Sequence, residues 1–264
     1  MSLNIIFNKA AIKHLAFLDF ITVTKYSSIE EFSNKDDLGY HLWLDTFLKN
    51  EDNFKGSPNE YYHTKSCFNP IYSKIVGISL GGFVKDKDEN FIPRTKALYG
   101  NDECKLMGEL ITSFYKQYKN NSILAGHNLN GFHIPFLTKR FLAKENAGKI
   151  IAKNPEGENV IATLPAILSE QLVSKPWEQK TLDTMQTLKF GSFYNTSLEH
   201  SAYHYGVPAP SISKENISGK FWETATTKKT TEEEAMVLNN QMSDLAAEYV
   251  MTTMRIYQHL RETM

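Results

Sequence analysis

Cysteine is scarce in this chain. Its 264 residues include two, Cys67 and Cys104, at no ligand-like spacing, which argues against a disulfide framework or a zinc ribbon and leaves buried or surface thiols. Long apolar runs are missing too. Nothing reaches the ~18 apolar residues of a membrane helix, and no charged leader with an apolar region and small-residue cleavage site opens the chain, so the expected compartment is cytoplasmic, with no membrane partner. Charge of one sign is also lacking: 29 Lys and Arg face 30 Asp and Glu, a formal net charge of -1. Without a broad basic field, any nucleic-acid contact has to come from a local patch. No internal repeat or low-complexity tract is evident. With 41% hydrophobic residues, the chain reads as globular, with a sizeable core in one elaborated domain or at most two.

Against these absences stands one acid in an apolar run. Five of the six residues from Leu15 to Phe20 are apolar, too short for a membrane span and suited to a buried central strand. Asp19 interrupts the run. Burying its carboxylate costs several kcal/mol unless it is paired, hydrogen-bonded or bound to a metal. The plain alternative is a capping or turn Asp at a strand end.

Further along, residues 29–62 read as an insertion packed over the sheet, with a helical interval near Tyr40 to Leu48 whose apolar face is Leu42, Leu44, Phe47 and Leu48. Residues 71–84 and 91–100 read as two strands around the charged turn 85–90. Leu106, Leu110, Ile111, Phe114 and Tyr118 recur at helical intervals before a short strand from Ile123 to Gly126. Strand, hairpin, helix, strand is the opening order of a ribonuclease-H-like fold. A second helical pattern follows Phe132. The interval from about 147 to 178 reads as a loop-rich excursion with a short helix near Ile167 to Leu172. Leu198 to Tyr205 reads as a helix stopped at Gly206, with Pro208 beyond. The last helix is expected from about Thr231 to His259, with Lys228 and Lys229 before it and Glu232, Glu233 and Glu234 complementing the dipole of its first turn.

Two further segments carry polar groups in a telling order. One holds Gly126, His127, Asn128, Phe132 and His133, then Lys139 and Arg140; the other holds Asn239, Asn240, Asp244 and Glu248 near the C-terminus. With the Asp19 segment, these resemble the three motifs of the DEDD superfamily of 3′-5′ exonucleases, in the same order. More closely, the chain resembles a bacterial family of predicted exonucleases related to the proofreading domain of B-family DNA polymerases. Supporting stretches lie at Ile75 to Gly81, Leu98 to Glu103, Lys175 to Glu178, Leu182 to Met185, Lys189 to Gly191 and Gly206 to Pro208, so the resemblance covers most of the chain. It implies an α/β, ribonuclease-H-like fold, a mixed β-sheet flanked by helices, in a single exonuclease-like domain over residues 1–264 with insertions at about 29–62 and 147–178.

The resemblance also shows where the chain departs from the family. Its first motif is Asp-x-Glu, and here the pair is Asp19 and Ile21; its second motif has Phe-Asp where this chain has Phe132 and His133; its third has a Tyr or a His before the Asp where this chain has Asn240 and Asn239. Of four acidic ligands, Asp19 and Asp244 remain. Phosphodiester cleavage of this type uses two divalent ions about 3.5 to 4 Å apart. An isoleucine has no donor atom, and an imidazole is a poor ligand for magnesium. Asn240 can hydrogen-bond a water but cannot take its proton near neutrality.

Three readings stay open from the sequence. The first is a pseudo-exonuclease that binds the 3′ end of single-stranded nucleic acid with little or no hydrolysis. The second is an atypical nuclease using one divalent ion, Mg, Mn or Zn, on Asp19, His133 and Asp244, with Glu248 as a substitute ligand or a solvated helix residue. The third is a protein-interaction module, its partner unknown. Thr22, His127, Asn128 and Phe132 are the expected substrate-contacting positions. For His127 and Asn128 the alternative is local turn structure; for Phe132 it is core packing rather than base stacking. Lys139 and Arg140 suit either phosphate contacts or a solvated helix face.

Overall fold

The computed structural model describes residues 12–118, 123–165, 168, 181–189, 193–227 and 232–263. In chain order these form β1 (Leu15–Thr24), α1 (Ile29–Lys35), α2 (Asp37–Leu48), α3 (Pro58–Thr64), β2 (Ser73–Lys85), β3 (Phe91–Tyr99), α4 (Glu103–Tyr118), β4 (Ile123–Gly126), α5 (Ile134–Leu142), β5 (Ile151–Lys153), β6 (Asn159–Ile161), β7 (Thr181–Asp183), α6 (Thr184–Leu188), α7 (Leu198–His204), α8 (Lys214–Thr227) and α9 (Glu232–Thr263). The main sheet has five strands in the order β3-β2-β1-β4-β7. Within it β1 pairs antiparallel with β2, β2 antiparallel with β3, and β1, β4 and β7 run parallel. The class is therefore α/β, a mixed sheet with flanking helices.

All ten residues of β1 are buried, because helices cover both faces of the sheet and period-2 alternation sends successive side chains to opposite cores. Phe17, Ile21 and Val23 pack with α7, α8 and α9, while Leu18 and Phe20 pack with α4 and α5. On the first face α9 presents Met242, Leu245, Ala246, Tyr249, Val250 and Met254, the period of an amphipathic helix. Among the described residues no helix is long and apolar enough to cross a membrane.

The 29–62 insertion forms α1, α2 and α3 around an aromatic cluster of Phe32, Trp43, Phe47 and Tyr62, joined by Tyr72. The face of α2 differs from the expected one. Trp43 and Phe47 are buried while Leu42 and Leu48 are 54% and 55% exposed, because stacking of Trp43 on Phe47 and Tyr40 rotates the aromatic side inward. The insertion is tied to the end of β1 rather than spread over the sheet. Thr24 Oγ1 lies 2.9 Å from His63 Nδ1 and 3.2 Å from Ser218 Oγ, and the Thr24 N–H donates to Ser218 Oγ at 3.0 Å. His63 Nε2 faces the Ser27 carbonyl at 3.1 Å, and burial lowers the pKa of this imidazole.

The 147–178 excursion is not loop alone, since β5 and β6 form a hairpin on α4. A Cβ at Gly108 would lie 2.0 Å from the Ile151 carbonyl oxygen, so α4 needs glycine there for the hairpin to seat. Leu168 belongs to the α4/α5 core. The rest of the helix expected at 167–172 lies outside the described residues, as do positions 175–178, 190–191 and 228–229.

Candidate functional site

Asp19 lies on β1 past the last residue paired with β4, since the parallel register ends at Phe17 with Ala125. This places it where the chain leaves β4 and enters a five-residue π-helical turn, Leu129–His133. Single π turns of this kind recur at functional sites. Asn128 opens the turn with φ 57°, a left-handed conformation that Asn tolerates better than most residues. Asp183 at the end of β7 fixes the turn: it accepts the N–H groups of Asn128 at 3.0 Å and Asn130 at 2.9 Å, and caps α6 through the Met185 N–H at 3.0 Å. The turn in its place delivers His133 to Asp19.

His133 Nε2 is 3.4 Å from Asp19 Oδ1. A third group completes the cluster. Lys214, at the start of α8, donates from Nζ to the same Oδ1 and sits 3.2 Å from His133 Nε2. An ammonium has no acceptor capacity, so in that contact the imidazole nitrogen accepts, and the other nitrogen, Nδ1, faces the Asn128 carbonyl at 3.3 Å. Burial raises the Asp19 carboxyl, but the ammonium of Lys214 on its Oδ1 outweighs it, and the group is held at about 2. The Asp19 carboxylate is thus ionised and already neutralised from within.

The cluster forms the floor of a cavity of about 600 Å³ whose walls include Phe68, Phe132, Met185 and Tyr249. Phe132 is half-buried; it packs on Phe20 and Phe136 and meets Phe68 edge-on at 5.9 Å, so it serves the core and the cavity together. Burial raises the pKa of the Tyr249 phenol, which donates to the Ile212 carbonyl at 2.6 Å with Glu199 Oε1 3.3 Å away. Two more carboxylates reach the cavity lining, Glu199 and Glu215. Glu199 is directed to Tyr249, and Glu215 to Lys65 at 3.2 Å.

Asp19, His127, Asn128, Phe132 and His133 share this cavity, and Asp244, Asn240 and Thr22 do not line it. Asp244 and Asn240 do occupy one helical face, but it is the exposed one; the helix turns Met242, Leu245, Ala246 and Tyr249 inward, and Tyr249 is the residue it sends to the cavity. Glu248 accepts the Ser211 N–H at 2.7 Å and is occupied in holding the loop before α8. The side chain of Asn239 lies outside the described residues. Thr22 is buried at an irregularity in the β1–β2 register between Ile21 and Thr22. Both ring nitrogens of His127 are engaged internally, with Thr184 Oγ1 at 3.0 Å and the Thr196 carbonyl at 3.0 Å. Arg140 is neither a phosphate contact nor solvated: it is buried in a bidentate pair with Glu103.

A pair of divalent ions does not fit these residues. Ile21 is 1% exposed within the α9-side core and offers no donor, Asp244 lies elsewhere, and Asp19 carries an ammonium on the oxygen a metal would take. Among the described residues no three His, Cys, Asp or Glu side chains are grouped to hold a metal.

No protein-family model matches the chain, and no curated protein matches it. Among solved structures the chain is similar to the family B DNA polymerase from the hyperthermophilic archaeon Pyrobaculum calidifontis, at 13% identity and a TM-score of 0.38. That alignment takes in 94% of this chain and spans 24% of the polymerase chain.

Sequence reasoning missed Lys214, Tyr249 and Phe68. For Tyr249 a signal exists in the inward phase of α9. For Phe68 the signal is weaker, an aromatic just ahead of β2. Lys214 has one unusual trait, a lysine in the first turn of a helix, where the macrodipole disfavours a cation. Such a residue needs a compensating anion, and Asp19 is that anion.

Proposed function

We propose that this chain is a nucleic-acid-binding protein on a ribonuclease-H-like, 3′-5′ exonuclease-like scaffold, with little or no two-metal phosphodiester hydrolysis. The observation that carries the reading is the state of Asp19: a buried carboxylate at the cavity floor whose Oδ1 accepts from Lys214, with His133 Nε2 3.4 Å away. Two-metal hydrolysis requires several anionic oxygens converging on one place; here Asp19 is already matched by a cation, and the other two carboxylates of the lining, Glu199 and Glu215, are directed to Tyr249 and Lys65. Binding is supported by the aromatic wall of Phe68 and Phe132, since each base has a face to lay on such rings. A location in the cytoplasm belongs to the same proposal.

The atypical one-ion nuclease is less well supported, because its third member, Asp244, is exposed outside the cavity. To test the reading, labelled single-stranded DNA and RNA are titrated with the protein at several salt concentrations, and the same strands are incubated with it in magnesium, manganese or zinc. The expected result is salt-dependent binding without loss of 3′ nucleotides, and binding weakened about fivefold to a hundredfold by Phe132→Ala, the range for one lost base stack. Metal-dependent trimming abolished by Asp19→Ala would overturn the hydrolytic half of the proposal. Failure to bind at modest salt would overturn the nucleic-acid half and favour the interaction module.

A further inference from the structure

We propose that Lys214 is a resident cation standing in for a divalent ion on Asp19, and that this lysine keeps a transition-metal site of Asp19 and His133 closed. Three kinds of group that attract cations converge on its ammonium: a carboxylate oxygen of Asp19, the Nε2 lone pair of His133 at 3.2 Å, and the ring of Tyr249 at 4.7 Å from its centroid. The first two are donor atoms that manganese or zinc would use. An ion approaching them meets a like charge in contact with its intended ligand, in a place where Asp19 is 3% exposed and screening is weak. The N-terminal end of α8 lies at the same spot and adds its partial positive charge. The backbone that carries Lys214 is also fixed, because α8 is bound to β1 a second time through Ser218 and Thr24.

The inference rests on reading the cavity as a centre that does not use two metals, and is independent of whether it binds nucleic acid. Position 214 overlooks both Asp19 and His133, so a carboxylate there would complete a three-ligand set. Mn²⁺ or Zn²⁺ binding is measured by calorimetry and by manganese paramagnetic resonance on the wild-type protein, Lys214→Met, Lys214→Glu and the double variant Lys214→Glu with Asp19→Asn, with circular dichroism as the check on folding. Wild type should bind neither ion specifically. Lys214→Met should bind at least about tenfold tighter than wild type once the contacting charge is gone; Lys214→Glu should bind tighter still and gain a metal-dependent rise in melting temperature, which the double variant loses. Specific one-to-one binding by the wild type, or folded variants that bind no better than it, would overturn the inference. Should the variants not fold, the wild-type titration still decides: paramagnetic broadening of the Lys214 ammonium and His133 ring signals by stoichiometric Mn²⁺ would sink it. A protein that passes these tests yet ignores DNA and RNA loses the binding proposal and keeps this one.

Discussion

Two buried ion-pair clusters lie on opposite sides of the sheet, and they differ in how they end. Around Glu103 every acceptor position is taken from inside the protein. Oε1 accepts from the Ile75 N–H at 2.8 Å and Arg140 Nε at 2.9 Å, and Oε2 accepts from the Arg140 guanidinium and from Asn146 Nδ2 at 2.9 Å, while Arg140 Nη1 reaches the Pro70 carbonyl at 2.9 Å. The network joins the first turn of α4, the start of β2 and the end of α5, and it reaches solvent through Arg140 Nη1, which pairs at 2.5 Å with Glu145, a side chain 46% exposed. Around Asp19 the partners converge on one oxygen, Lys214 is 21% exposed, and a cavity lies beyond. A buried carboxylate whose acceptor positions are all filled from within contributes architecture; one that stops at a cavity keeps the geometry of a binding centre even after its chemistry has changed.

That contrast can be broken experimentally, beginning with the largest effect. Arg140→Met should destabilise the protein by about 3–5 kcal/mol in chemical denaturation, because it strands the buried Glu103 carboxylate. An effect below 1 kcal/mol would make the two clusters equivalent. Lys214→Met should cost about half of that or less, since water in the cavity can reach the orphaned Asp19. Combined with Asp19→Asn it should be clearly non-additive, and strict additivity in that cycle would mean the pair is not coupled.

The pH dependence sharpens the comparison further. Asp19 is depressed from its ordinary 3.8 to about 2, so its ion pair contributes fully above 3.8 and the contribution disappears as pH falls toward 2. The melting-temperature gap between wild type and Asp19→Asn should therefore be flat above pH 4 and shrink below it; a gap that widens in acid would reverse the assignment. The smallest effect belongs to His63 and His127, whose imidazoles burial holds below the ordinary 6.5. Protonation favours the unfolded chain for both, so stability should decline as pH drops below 6.5, and the decline should lessen in His63→Gln.

Most of the framework was readable from residue order because it rests on local causes. The apolar run that became β1, the charged turn at 85–90, the periodicity of Leu106, Leu110, Ile111 and Phe114, and the stop at Gly206, whose φ is 66°, each act within a turn or two of the chain. Asp19 was readable for the same reason, an odd residue in a patterned segment, whereas His133 was picked out through the resemblance to the exonuclease second motif. Asp244 was misplaced because its identity was matched to a motif without regard to helical phase, which Met242, Leu245 and Ala246 set. Leu42 and Leu48 failed similarly: counting apolar residues cannot show that stacked aromatics will claim the inward side. Lys214 lies 195 positions from Asp19, and a partnership over that distance leaves no local trace beyond a lysine at an unfavourable helix end.

The hydrogen-bonded group of Thr24, His63 and Ser218 has an effect that reaches beyond its own corner. Strand β1 carries both Asp19 and Thr24, and helix α8 carries both Lys214 and Ser218, so strand and helix are riveted together at two points, with the aromatic insertion clamped over the second through His63. A hinge needs one free end, and α8 has none along this seam. Whatever enters the cavity meets a lysine whose backbone cannot retreat, so a guest either takes the ammonium as part of its mould or has to break the Asp19 ion pair to displace it.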